Sequence, residues 1–145
     1  MESLLVLCFP IAFLAIVTVI EYRNPLWGQF VTAASPMPDN PKGASSAQMV
    51  FFWKSADTFR KSEASDYWNA MDLIATPNGL LVKRPFFLFG RKSAYFPWAV
   101  LIPGKTLHLW VAKRRAMRLA GTELYFSVTE RFFRKHVQHY VGSAK

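Results

Sequence analysis

Residues 78–98 read NGLLVKRPFFLFGRKSAYFPW, and how this stretch folds decides the reading of the whole chain. Its apolar and aromatic residues suit a half-buried sheet. Asn78-Gly79 supplies a turn, because Asn and Gly tolerate positive φ at low cost. LLVKRPFF (80–87) then reads as a strand with an edge or bend at Pro85, which has no N–H to donate to a ladder. Gly90 to Ser93 reads as the next turn, and AYFPWAVLI (94–102) as the following strand. On that reading Lys83, Arg84, Arg91 and Lys92 fall at a strand edge and a connecting turn, where charged side chains ordinarily sit in water.

Working outward, the same grammar continues on both sides. Upstream, MVFFW (49–53) and WNAMDLIATP (68–77) are short runs rich in β-branched and aromatic residues. Downstream, TLHLWVA (106–112) alternates Leu107, Leu109 and Val111 against His108 and Trp110, as a strand with two unlike faces does. KRRAMRLAG (113–121) fits either a charged turn or a short edge strand, and TELYF alternates again. Ser127-Val128-Thr129-Glu130 has the form of a capping box, which predicts a helix starting there. Within it Val128, Phe132, Phe133, Val137, Tyr140 and Val141 recur at helical spacing, while Arg131, Arg134, Lys135 and Gln138 fall on the opposite face. The expected soluble part, residues 49–145, is a small antiparallel β-sheet or barrel closed by a C-terminal amphipathic helix.

The other end of the chain differs in kind. Ser3 to Ile20 is a run of 18 residues without a charge, and a helix of about 1.5 Å per residue makes that long enough to cross a hydrocarbon core. A signal peptide asks for a positive start and a nearby small-residue cleavage site, and Met-Glu-Ser followed by Glu21-Tyr-Arg-Asn-Pro offers neither. A soluble core helix would show a polar stripe, and no face here is polar. The expectation is a transmembrane anchor over residues 1–30, with Tyr22, Arg23 and Trp27 in the headgroup belt. Thr32 to Ala47 is rich in Pro, Gly, Ser and Ala, so residues 31–48 read as a linker.

The charge is uneven. The net charge is +9, and residues 73–145 hold 13 Lys and Arg against two acids. The positive-inside rule then places the basic domain in the cytoplasm, on a single-pass protein of the inner (cytoplasmic) membrane. Lys83, Arg84, Arg91, Lys92, Lys113, Arg114, Arg115 and Arg118 form a candidate patch for anionic lipid or a partner; each cation near an anionic leaflet contributes about 1 kcal/mol. The plainer alternative is a set of solvated turns. Nucleic acid is not expected, because the aromatics alternate as core residues rather than as a stacking platform. His136 and His139 are three apart on a helix, but no Cys or carboxylate sits beside them in sequence, so no metal is expected. The single Cys8 excludes an intramolecular disulfide. No catalytic constellation and no cofactor-binding loop is present.

Two segments carry a resemblance. DLIATPNGLLV (72–82) and YFPWAVL (95–101), together with the capped terminal helix, resemble small bacterial membrane proteins with a pleckstrin-homology-like domain behind one N-terminal span, over roughly residues 50–141. The resemblance implies an α+β fold and no enzymatic activity, catalytic residues or cofactor. The basic segment 112–121 departs from the pattern. The functional expectation is a non-enzymatic accessory or assembly subunit of a larger bacterial membrane complex, with other membrane-protein subunits and the lipid bilayer as partners. The alternative is a membrane-tethered module that binds anionic lipid.

Overall fold

A computed structural model of the chain describes residues 9–16, 25–54, 68–84, 93–109 and 112–142. Residues 9–16 form a helix, α1, and Pro25–Ala33 a second, α2. Seven strands follow: β1 (Ala44–Lys54), β2 (Trp68–Ala75), β3 (Gly79–Lys83), β4 (Ala94–Pro97), β5 (Leu101–Leu109), β6 (Ala112–Leu119) and β7 (Leu124–Thr129). A terminal helix, α3, covers 130–141. Neighbouring strands are antiparallel throughout, in the order β4-β3-β2-β1-β7-β6-β5, so the sheet curls into a half-barrel.

The curl is centred on β1, which changes partner part-way along. Its residues 44–51 pair with β2 and its residues 52–54 with β7. Val50 and Phe52 point into the concave face, where alternate residues of the other strands meet them: Met71 and Leu73 from β2, Met117 and Leu119 from β6, Phe126 and Val128 from β7. Two helices cover that face. α3 contributes Phe132, Phe133, Val137 and Val141, and α2 contributes Leu26, Trp27 and Phe30. Phe30 stands edge-on to Phe52, Phe96 and Phe126 at centroid distances of 5.0, 6.2 and 5.8 Å, the geometry that ring quadrupoles prefer.

The single-pass anchor expected over Ser3 to Ile20 is corrected. Among the described residues no helix is long and apolar enough to cross a membrane. Only residues 9–16 of that run are described; Cys8, Tyr22 and Arg23 lie outside the described residues. The fold class therefore loses its transmembrane helix, and the inner-membrane, single-pass placement and its cytoplasmic orientation go with it. Trp27, expected at a headgroup belt, is 3% exposed and packs 5.8 Å from Phe52. Hydrophobicity alone did not distinguish the two settings, since an aromatic beside an apolar run suits a core as well as a membrane interface.

Three local expectations also change. Residues 94–102 are not one strand: β4 ends at Pro97, a 3-10 turn spans Trp98–Val100, and β5 begins at Leu101 at the opposite edge of the sheet. Proline ends the ladder because it cannot donate, and Trp98 fixes the corner by donating its Nε1–H to the Thr76 carbonyl at 3.0 Å and stacking on Tyr140 at 4.9 Å. Gly79 sits in the Thr76–Gly79 turn without a positive φ. It is small because a Cβ there would meet the Phe96 carbonyl oxygen at 2.5 Å. The terminal helix is capped by Thr129, whose hydroxyl accepts from the Phe132 N–H at 3.3 Å, and not by Ser127, which belongs to β7. A π turn at Phe133–Val137 widens α3, which lets Phe132, Phe133 and Val137 all face the sheet.

Candidate functional site

Six of the eight cations singled out from the sequence lie among the described residues, at the end of β3 and along β6. Arg91 and Lys92 lie outside the described residues, while Lys83 and Lys113 are exposed on different strands, β3 and β6. Arg84 places its guanidinium 5.8 Å from the Trp27 ring centroid, and Arg118 is half-buried on β6 opposite Tyr125. Arg114 and Arg115 serve the fold.

Arg114 is 4% exposed. Its Nε donates to Ser127 Oγ at 2.9 Å, and one terminal nitrogen donates to the Ser127 carbonyl at 3.3 Å and to the Met49 carbonyl. The Gln48 side-chain oxygen, close to the same guanidinium, accepts the Thr129 N–H at 2.7 Å. Together these groups fill the gap where β1 parts from β7 and leaves carbonyls without a ladder partner. Burial lowers the Arg114 pKa to about 10, which leaves it a cation at neutral pH. On the inner side of β6, Arg115 clamps Glu130 with two bonds of 3.1 and 2.7 Å and lies 4.8 Å from the Phe133 ring centroid. Arg134 adds a third bond to Glu130 at 2.9 Å. The Arg115 hydrogen bond, above all, holds the Glu130 carboxyl below its ordinary value of 4.5, against the opposing effect of burial.

A different set of polar groups does come together. Where β1 runs beside the first turns of α3, a cavity of about 220 Å³ is lined by Ser45 and Ser46 on one side and by Thr129, Arg131, Lys135 and His136 on the other. Arg131 and Lys135 are exposed, and His136 rests 5.4 Å from the Phe132 ring. Among the described residues the lining contains no carboxylate, and the nearby Glu130 is turned to Arg115 and Arg134. Sequence reading put Arg131 and Lys135 on the polar face of the helix. It missed the cavity because Ser45 and Ser46 were assigned to a linker, and only the fold brings them to the helix. Among the described residues there is no cluster of three or more His, Cys, Asp and Glu that could hold a metal ion.

The second exposed feature is α1. In eight residues it presents Phe9 at 77%, Ile11 at 62%, Phe13 at 61%, Leu14 at 48% and Ile16 at 58% exposure. Scattered apolar side chains on a surface are ordinary; five within two turns, with Phe9, Phe13 and Ile16 on one side of the helix and Ile11 and Leu14 on the other, are a concentration.

No family model, no curated protein and no solved structure matches the chain.

Proposed function

We propose that the chain is a non-enzymatic accessory or assembly subunit that joins a larger protein complex, with the half-barrel as its body and α1 as its principal docking element. The observation that carries this is the exposure of α1. Its five apolar side chains leave the equivalent of about three whole side chains in water, and covering them is worth about 5–9 kcal/mol before association costs. Those costs are about 4–15 kcal/mol, so α1 alone supports weak binding and a stable complex needs contact with the body as well.

The charge indicates which kind of partner. At +9, two copies of this chain repel one another, whereas an acidic subunit is drawn in and oriented. The polar groups that are buried support a binding role over chemistry: Arg114, Ser127 and Glu130 are engaged in holding strands and helix together. The order of elements, antiparallel strands followed by a closing helix, is consistent with the pleckstrin-homology-like resemblance, which implies no enzymatic activity.

The test is isolation of the tagged full chain from its native cells, beside the variant Phe9→Ser/Phe13→Ser. A stoichiometric companion that stays with the wild type through gel filtration and is lost from the variant is the expected result. Retention of the same companion by the variant would remove α1 from the docking role, and a wild type that elutes alone would remove the assembly reading.

A further inference from the structure

We infer that the cleft between β1 and the start of α3 is a binding site for a phosphomonoester dianion. The site is independent of α1 and of any partner docked there. Arg131 and Lys135 bring two positive charges to one cavity from successive turns of α3. On the bare helix these like charges repel, and a dianion between them reverses the sign of that interaction. The opposite wall supplies neutral donors. The Ser46 oxygen accepts from Gln48 Nε2 at 3.3 Å, which leaves its O–H to donate, and Ser45 is exposed beside it. His136 adds a further ring N–H donor.

The donor set chooses among anions. A carboxylate has two oxygens and one charge, whereas a phosphomonoester offers three strong acceptor oxygens and close to two charges at neutral pH. A guanidinium fork, an ammonium and two hydroxyls match the latter in both charge and number of bonds. Thr129 also lines the cavity, and its oxygen accepts the Phe132 N–H as the helix cap, which likewise leaves its O–H to donate beside the two serines. The carboxylate nearest in the chain matters as much as the cations, since Glu130 is held away by Arg115 and Arg134 and does not neutralise the site. The volume of about 220 Å³ leaves room for part of the group that carries the phosphate.

The phosphate can be soluble or a lipid headgroup, and one experiment separates them. The full chain is titrated with glycerol phosphate and with inorganic phosphate, read by amide chemical shifts, and with vesicles containing or lacking phosphatidic acid, read by co-sedimentation. Shifts at residues 45, 46, 131, 135 and 136, saturating with the phosphomonoester and absent with acetate, are expected. Arg131→Gln and Lys135→Gln should each weaken binding about tenfold, the loss of one hydrogen bond to a charged group. The exposed cations Lys83 and Lys113 serve as controls, and Lys83→Gln and Lys113→Gln should leave binding unchanged. Binding only to phosphatidic acid vesicles, lost in the Arg131→Gln/Lys135→Gln double variant, assigns the site to a lipid headgroup. Equal weakening by the control substitutions would reduce the effect to net charge and overturn the site, as would no response to any phosphomonoester.

Discussion

Arg114 offers the sharpest test of the difference between a charge that faces a ligand and a charge that holds the fold. Replacing it with Met keeps most of the volume and removes the donors. Three bonds are lost, to Ser127 Oγ, the Ser127 carbonyl and the Met49 carbonyl. Each hydrogen bond from a charged donor contributes about 2 kcal/mol, so the gross loss is about 6 kcal/mol. Against this stands the cost of burying the cation, which lowers its pKa to about 10 and corresponds to about 3 kcal/mol. The net expectation for Arg114→Met is a loss of about 3 kcal/mol, a large part of the stability of a domain this size. Arg114→Lys should be nearly as damaging. It keeps the buried charge, but an ammonium on a flexible stem cannot span Ser127 and Met49 as the planar fork does. Urea unfolding followed by tryptophan fluorescence measures both. A lysine variant within about 0.5 kcal/mol of wild type, the range of ordinary surface changes, would show that Arg114 behaves as a surface charge and does not hold β1 to β7.

Three further outcomes follow from the same packing. Phe30→Ala should cost about 3–5 kcal/mol in the same unfolding assay, because it opens a cavity among Phe52, Phe96 and Phe126; a neutral result would detach α2 from the core. Gly79→Ala should lower stability by about 2–3 kcal/mol, since the added Cβ runs into the Phe96 carbonyl, and a wild-type midpoint would show that β4 yields at no cost. Glu130 binds fewer protons folded than unfolded, because its folded pKa lies below 4.5. Its contribution is therefore full above about pH 5 and is lost as the pH falls through 4.5 and below the folded value. Unfolding series from pH 6 to pH 3 should show a flatter decline for Glu130→Gln than for wild type, and parallel curves would mean that the Arg115 clamp contributes nothing.

How far the sequence led depends on whether a segment's neighbours in space were also its neighbours in the chain. β2 and β7 were legible because their alternation records a face that each strand buries for itself, β5 only over its second half, where Leu107 is buried and His108 exposed, and α3 was legible from the spacing of Phe132, Phe133, Val137 and Val141. β6 was obscure because Arg114 and Arg115 interrupt its apolar pattern: one fills the gap beside β1 and the other clamps the terminal helix, and neither need is visible from the strand alone. Residues 94–102 looked like one strand because the corner at Trp98 depends on Thr76 and Tyr140, both far away in sequence. The cap lies at Thr129 and not at Ser127 because the helix begins only at Glu130, and Ser127 is still paired with Ala116 in the sheet. The N-terminal region misled most. An apolar run followed by Trp27 and Phe30 has the composition of a membrane anchor and its interfacial exit, yet Trp27 and Phe30 complete the half-barrel core. For a related reason the roles of Arg114 and Arg115 were not legible, since counting cations along the chain does not reveal which of them already have partners.

Hydrogen exchange at the amides of residues 9–16 tests the assembly reading most directly, measured on the chain alone and on the complex isolated from its native cells. These amides should exchange readily in the free chain and become protected in the complex, while those of β1 and β7 are slow in both. Exchange at 9–16 that is the same in the two samples would contradict that reading, because the most exposed apolar surface of the described residues would then have no part in what the protein binds.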